Sequence, residues 1–419
     1  MEDRIIIIGA GAAGLAASRL LTRSRHHVTL LEAKEHIGGR ILSVDSTAGA
    51  DSIELGAEFL HGKLPLTTAL LSQAKISLVE SGGEMFHENN QRRVEWDQLT
   101  KQWGELMRDM GRIKNDIPFR VFLDQYVAGG NHSSLYRSAR GFAEGFDLAD
   151  IRKTSTMAIR DEWQHEEDQQ FRVKGGYGRL IHYLDKSSSR KYFTLVTDAP
   201  VKSVAWRKGE VKVFTSKDQA FFGNKLIVAI PPKPYSKILF KPAISVYRNA
   251  ALSLGFGHAL KIMLEFQRPF WQKTHPHAGF VFGNGDIPVW WTQLPSKTPL
   301  LTGWLGGPRS QKIKNRSIDG VTAVAIRSIA QIFNIRENSL RASLREIYFH
   351  DWSLDEFSMG SYSYPIVNVQ SALKVLTEPV EKTIFFCGEH IYAGHWPGTV
   401  EAALNSGKAV AEKIKLRSV

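Results

Sequence analysis

The chain has 419 residues, 43% of them hydrophobic and 23% charged, which is enough for two or three domains with large cores and ordinary for a globular protein. No apolar run approaches the roughly 18 residues of a membrane span, so no membrane partner is expected. Lys and Arg number 54 against 42 Asp and Glu, a net charge of +12, but the charges are scattered and form no dense basic block interleaved with aromatics, so nucleic acid is not an expected partner either. Cys387 is the single cysteine and excludes an internal disulfide. The first apolar run, residues 5–8, passes straight into a glycine loop and leaves no room for an export signal. Both features predict a cytoplasmic protein.

The opening reads as strand (4–8), tight turn (9–14), helix (15–21) and strand (27–31), a βαβ unit of the doubly wound kind. Between residues 64 and 165 apolar positions recur at helical spacing, over 70–74, 103–110 and 119–127, broken by polar loops such as Gly129-Gly130-Asn131, which predicts a helical lobe. After Gly175-Gly176 and a helix around 180–184, short strand-like runs return at 193–196, 211–214 and 226–230, the last stopped by Pro231-Pro232. A mixed region follows, with strands at 259–266, 279–282 and 300–304 and a helix over 321–333. The end reads as strand 383–387, a turn, and a helix over 399–414. No internal repeat or low-complexity tract interrupts this order, so the simplest architecture is α/β with two domains, each assembled from separated pieces of chain.

Gly9-Ala10-Gly11-Ala12-Ala13-Gly14 matches G-x-G-x-x-G between a strand and a helix. Gly9 permits the turn, Gly11 lets backbone approach a pyrophosphate, and Gly14 lets helix pack on strand. Alone the pattern only ends a strand. Glu32, closing the second strand at close to the 20-residue spacing of a ribose-binding acid, makes it a dinucleotide fingerprint and disfavours a 2′-phosphate. Gly38-Gly39-Arg40 offers backbone N–H groups and a guanidinium as a second phosphate clamp.

With these residues the segment 5–40 resembles the FAD fingerprint of the flavin-containing amine oxidase family, which includes monoamine oxidases, polyamine oxidases, L-amino acid oxidases and lysine-specific histone demethylases. The resemblance continues along most of the chain. Glu54-Leu55-Gly56-Ala57-Glu58-Phe59-Leu60-His61-Gly62 resembles the loop beside the flavin, with a histidine like that of polyamine oxidases. Lys174-Gly175-Gly176-Tyr177 resembles the re-entry into the FAD domain, and Val201 lies where the family touches adenosine through backbone. Leu260-Lys261-Ile262, Pro269-Phe270-Trp271, Trp352 and Gly360-Ser361-Tyr362-Ser363-Tyr364 resemble the lysine strand and the stretch of flavin-side aromatics. Gly388-Glu389-His390 and Trp396-Pro397-Gly398-Thr399-Val400-Glu401-Ala402-Ala403 resemble the closing motif. Residues 64–165 carry almost no such signal.

The resemblance implies an FAD-binding Rossmann-type domain from 1–62, 168–250 and 360–419 and a discontinuous α+β substrate domain from 63–167 and 251–359. It implies FAD contacts from Gly9, Gly11, Ala13, Gly14, Glu32, Ala33, Gly39, Arg40, Gly56, Ala57, Glu58, Val201, Trp352, Gly388, Glu389, Gly398, Thr399 and Val400, with no metal. Glu389 would accept hydrogen bonds from the ribityl chain, and the helix from Thr399 would aim its positive end at the flavin. Lys261, opposite in its strand to Leu260 and Ile262, would reach the flavin through a water. Tyr362 would form one wall of an amine cage whose other wall, aromatic in many members, is Thr399 here. His61 would orient substrate or water; Trp290 and Trp291, on opposite faces of a strand, read first as core packing, with pocket lining by one of them as the alternative. Ser361 stands where some monoamine oxidases attach the flavin through cysteine, so the FAD is expected to be non-covalent. The implied activity is oxidation of a small amine with O2 as acceptor; the alternatives are an L-amino acid oxidase and a demethylase-like or non-catalytic FAD-binding protein.

Overall fold

The computed structural model describes residues 3–46, 52–62, 64–87, 103–128, 133–165, 169–313, 316–394 and 397–416. Its first sheet has five parallel strands in the order Ile384–Phe386, Lys225–Val228, Arg4–Ile8, His27–Leu31, Phe193–Val196. Both faces are covered. Ile5 and Ile7 enter one core with the helix Ala12–Arg23, while Ile6 and Ile8 enter another with Val211 and Val213 of a second, four-stranded sheet. A central parallel strand buried on both sides reads as an unbroken apolar run, which is why 5–8 is four isoleucines rather than an alternation.

The C-terminal helix Val400–Lys415 lies against Ala12–Arg23 so closely that a Cβ on Gly407 would sit 2.2 Å from the carbonyl oxygen of Ala13. Glu401, buried in its first turn, reaches the start of the helix Pro65–Gln73 and accepts from the N–H groups of Leu66 (2.9 Å) and Thr67 (2.7 Å). That carboxylate satisfies donors the helix leaves open and complements its dipole. Leu64, Leu70, Leu71 and Ile76 therefore join the core of the parallel sheet. Residues 64–76 thus pack with the dinucleotide side, although the sequence groups them with the helical lobe.

The third large sheet has six strands in the order Leu344–Asp351, Ala259–Phe266, Leu300–Gly306, Val289–Trp291, Ala278–Phe282, Glu84–His87. Leu260, Ile262, Leu264 and Phe266 face the helix Ile318–Phe333, and Lys261 and Met263 face the other way. Two of these strands escape sequence reading. Leu344–Asp351 is partly exposed almost throughout and shows no alternation, and Glu84–His87 crosses from the region read as helical to pair in parallel with Ala278–Phe282. A three-stranded sheet of Phe59–His61, Gln170–Val173 and Leu78–Glu80 joins the two halves of the molecule. The helical lobe comprises 103–110, Phe119–Ala128, Ser133–Gly145 and Thr156–Gln164 around Leu106, Phe119, Leu123 and Ile159. Gly129, Gly130, Asn131 and Trp396 lie outside the described residues.

Candidate active site

A cavity of about 1800 Å³ runs from the glycine turn, between the parallel sheet and the six-stranded sheet, into the helical lobe. It exceeds the 300–1,000 Å³ typical of a small-ligand pocket. Of the cofactor-contact residues implied by the resemblance, together with Lys261, Tyr362 and His61, all but Gly14 line it.

At one end the chain offers mostly backbone. Gly9 has φ +102°, and a Cβ there would lie 2.7 Å from the carbonyl oxygen of Ala229; a Cβ on Gly14 would lie 2.0 Å from that of Gly9. Gly14 serves the packing of helix on strand rather than the lining of the cavity. Gly11 differs: a Cβ would meet nothing closer than 3.9 Å, so its missing side chain leaves an open cradle at the N-terminus of Ala12–Arg23, where no side chain caps the helix. Free N–H groups, a helix dipole and space are what a pyrophosphate needs, and the residues present fit it. Glu32 is buried, with its carboxylate accepting from the N–H groups of Ala10 (2.8 Å) and Lys34 (3.0 Å); burial holds it above the usual carboxylate range despite those bonds. Ala33 and Gly39 line the same end, as does Val201, which sits where the pairing of Val201–Arg207 with Glu210–Thr215 shifts register and breaks the regular ladder.

Midway, the Arg40 guanidinium donates through Nη1 to Glu389 Oε1 and to the carbonyl oxygen of Ser361, both at 2.6 Å, which ties the Gly38-Gly39-Arg40 loop to the closing motif. Glu389 in turn accepts from the Ser363 hydroxyl. Burial pushes its carboxyl up, but Arg40, His390 and Ser363 more than reverse this and hold it below its ordinary value. The loop of Gly56 and Ala57 is fixed by the N–H of Ala57 donating to the carbonyl of Arg40 (3.1 Å), and Gly56 has no room for a side chain. Trp352 gives its N–H to the carbonyl of Leu55 (3.0 Å), so its ring alone faces the cavity. Gly388, Gly398 and Val400 complete this stretch, and Thr399 caps the C-terminal helix by accepting from the N–H of Ala402 (3.2 Å).

Beyond lies a buried charge cluster. Lys261, 1% exposed, donates to Glu58 Oε2 (2.6 Å) and to the carbonyl oxygen of Gly56 (3.2 Å). Glu58 Oε1 accepts from Arg172 (2.8 Å) and from the indole N–H of Trp291 (3.0 Å). Burial acts to raise the Glu58 carboxyl, yet Lys261 and Arg172 prevail and hold it below its ordinary value. A lone buried ammonium costs several kcal/mol; this arrangement offsets that cost and leaves one positive charge in excess. Two of the three ammonium donors are used, so one is available to a ligand. Glu58, placed among the cofactor contacts by sequence, binds the lysine directly.

Tyr362 donates its hydroxyl to the carbonyl oxygen of Phe146, which fixes its ring as a wall. Burial drives its phenol well above the ordinary value, with Asp147, Glu162 and Glu389 adding to the shift. His61 packs edge-on against Phe146 with ring centroids 5.3 Å apart, and its enclosed Nδ1 has no hydrogen-bond partner. Burial lowers its pKa to about 4, so it is neutral at physiological pH. Of the tryptophan pair, Trp290 is in the core under the helix Ile318–Phe333 and Trp291 faces the cavity. Among the described residues no group of His, Cys, Asp and Glu could hold a metal ion.

The family model described as flavin containing amine oxidoreductase matches residues 116–415. The chain belongs to that family. A second model, an NAD(P)-binding Rossmann-like domain, matches residues 7–74, a span that includes the helix Pro65–Gln73 packed on the dinucleotide side. Relatives of this flavin amine oxidoreductase include the human "Lysine-specific histone demethylase 2" (26% identical over 98% of the chain and 53% of the relative), Arabidopsis thaliana "Polyamine oxidase 2" (24%, 99% and 88%) and human "Amine oxidase [flavin-containing] B" (23%, 98% and 85%). The chain spans about half the length of the human demethylase. A solved structure of putrescine oxidase bound to putrescine superposes with a TM-score of 0.82 at 19% identity, covering 100% of both chains. Cyclohexylamine oxidase from Brevibacterium oxydans IH-35A gives 0.80 at 18%, covering 99% of this chain and 100% of that one. The structural likenesses show a shared fold, and the family model shows a family of flavin-containing amine oxidoreductases.

Sequence reading missed Arg172, Phe146, Asp147 and Trp163. Arg172 sits in the short strand Gln170–Val173 without any motif around it, and the other three come from the helical lobe, where only hydrophobic spacing was readable.

Proposed function

We propose that this chain is an FAD-dependent amine oxidase that holds its cofactor non-covalently, oxidises a carbon–nitrogen bond of a small amine, and uses O2 as acceptor. The observation that carries the reading is the continuity of one cavity from the Gly11 cradle and Glu32 to Lys261, Tyr362 and the helix end at Thr399. Bound there, FAD would supply the redox chemistry, taking a hydride from the carbon beside the amine nitrogen and passing two electrons to O2 to give hydrogen peroxide, while water hydrolyses the imine product to a carbonyl compound.

The chain's own residues do the rest. The Tyr362 ring attracts an arriving ammonium, and the aromatic surroundings then favour loss of its proton, which frees the lone pair that oxidation requires. His61, neutral, offers a hydrogen bond without a competing positive charge. The Lys261 ammonium lies where it can stabilise negative charge built up during oxygen reduction. The start of the helix Val400–Lys415 favours negative charge at the neighbouring edge of the cofactor. Ser361 supports non-covalent binding, and Cys387 offers no alternative attachment: it lies in the core, its thiol pushed up to about 12 by burial.

Acid precipitation of the purified yellow protein tests the attachment; flavin should appear in the supernatant, and flavin retained by the washed pellet would refute the non-covalent reading. Hydrogen peroxide release across a panel of monoamines, diamines and amino acids tests the activity, and its absence with every amine would refute it.

A further inference from the structure

Behind the Lys261 ammonium stands a second cation that does not itself line the cavity. Arg172, in the strand Gln170–Val173, donates through Nε to Glu58 Oε1 (2.8 Å), through Nη1 to the Ser81 hydroxyl (3.1 Å) and the carbonyl oxygen of Leu294 (3.0 Å), and through Nη2 to that of Thr292 (3.0 Å). Its guanidinium carbon sits 4.5 Å from the centroid of the Phe59 ring. Bonds to three separate segments of chain fix the guanidinium, and it fixes Glu58 in turn. Glu58 Oε1 is taken by Arg172 and the Trp291 indole, which leaves Oε2 for Lys261. With Oε2 and the carbonyl oxygen of Gly56 holding two of the three ammonium donors, the direction of the third is set.

A buried carboxylate and ammonium in contact have an uncharged alternative. One proton moves from Lys261 Nζ to Glu58 Oε2, an N–H bond breaks as an O–H bond forms, and both charges vanish. Arg172 opposes that transfer, because a guanidinium keeps its proton and is bonded to the same carboxylate, where it favours the anion. Against burial, which acts to raise the Glu58 carboxyl, Lys261 and Arg172 together hold it below its ordinary value. Glu54, the other carboxyl whose charge reaches this pair, is held above its ordinary value by burial, against the Ser52 and Ser43 hydroxyls and Lys261. Of the two carboxyls, Glu58 is therefore the one that ionises more readily.

We infer that Arg172 is a positioning residue for the oxygen half-reaction, acting through Glu58 to keep the Lys261 ammonium charged and in place. This rests on the oxidase reading, in which that ammonium stabilises negative charge during oxygen reduction, and adds the residue that maintains it. The same bonds also tie the strand Gln170–Val173 to Ser81 and to residues 292–294. A tie alone would contribute stability, but its loss would not act through Lys261.

The test uses the FAD-loaded protein, with the flavin reduced by stoichiometric dithionite so that no amine is needed, then mixed rapidly with O2. Arg172→Met should slow reoxidation by roughly 10-fold or more. It should also lower the midpoint potential of the bound flavin, because less positive charge then stabilises the reduced, anionic form. Arg172→Lys, which restores a cation without the planar set of donors, should recover part of the rate. Both effects of Arg172→Met should be largely lost in a Lys261→Met background, where no ammonium remains to be held, and that dependence separates positioning from structural support. An Arg172→Met protein that reoxidises at the wild-type rate overturns the proposal, as does slowing of the same size in both backgrounds. Should Arg172→Met fail to fold, Arg172→Lys carries the same comparison: a smaller slowing beside Lys261 and none beside Met upholds the proposal, and equal behaviour in the two backgrounds overturns it. If Lys261→Met alone reoxidises at the wild-type rate, the reading of Lys261 in oxygen reduction fails on its own, and the midpoint potential then judges Arg172. A fall in potential on Arg172→Met that disappears in the Lys261→Met background would uphold its action through Lys261, and an unchanged potential would overturn it.

Discussion

The two ends of the cavity are built from different parts of the chain. At the dinucleotide end the working groups are backbone N–H donors, a helix terminus and the space left by glycine, with Glu32 as the main side-chain contributor. At the amine end they are side chains brought together from remote segments: Glu58, Arg172, Lys261, Trp291 and Tyr362. A site made of backbone dictates residue types at fixed spacing, because only glycine fits and the helix must follow at once. A site made of side chains dictates only that some residue reach the right point, so its specificity can change without changing the fold.

The largest effects should separate packing from binding within the glycine turn. Gly14→Ala places a Cβ 2.0 Å from a backbone oxygen and should prevent normal folding, while Gly11→Ala meets nothing closer than 3.9 Å and should fold yet lose FAD affinity. Melting curves and flavin titration of the two variants check this, and equal behaviour would break the distinction. Glu32→Lys replaces an acceptor of ribose hydroxyls with a cation and should lower FAD affinity by at least about 100-fold. Normal flavin occupancy in that variant would mean that the acid does not face the ribose.

At the other end the expected signature is coupling. Lys261→Met removes one partner of a buried pair and should cost a few kcal/mol of stability as well as slowing reoxidation by O2. Adding Glu58→Gln to it should recover part of that loss, giving a coupling energy of about 1–3 kcal/mol in a double-mutant cycle measured by chemical denaturation. Additive losses would show that the two residues are energetically independent. Tyr362→Ala should weaken amine oxidation more than FAD retention, and steady-state kinetics together with flavin content measure both; equal losses would place the ring on the cofactor rather than the substrate.

The smallest effect is a pH dependence. His61 and His390 are both held at about 4, His61 by burial and His390 by burial with Arg40 adding and Glu389 opposing. An unfolded histidine titrates near 6.5, so between those values the unfolded chain binds protons that the folded one does not. The histidine contribution should make stability fall as pH drops from about 6.5 to about 4, by at most about 3 kcal/mol per histidine, and add nothing further below. His390→Gln should flatten part of that slope, and an unchanged slope would place the destabilisation elsewhere.

This division also explains what was legible in the sequence. The strands 193–196 and 259–266 and the helix from Thr399 announce themselves by apolar runs and caps, and Lys261 stands out because an inward lysine is costly. Arg172 gives no such signal: arginine in a short strand is ordinary, and only the fold reveals that it donates to Glu58 and to the carbonyl oxygens of Thr292 and Leu294 at once. Asp147 follows the helix Ser133–Gly145 with no motif around it, and Glu84–His87 joins its sheet through a parallel contact with Ala278–Phe282, far away in sequence, that no local pattern encodes.

The central claim is that one cavity holds FAD at the glycine cradle and presents an amine to it between Tyr362 and Lys261. Anaerobic addition of amines to the FAD-loaded protein, followed by admission of O2, tests it most directly. The account predicts that at least one amine bleaches the visible absorption of the flavin, and that O2 restores it with release of hydrogen peroxide. A fully loaded, folded protein whose flavin no amine bleaches would contradict it.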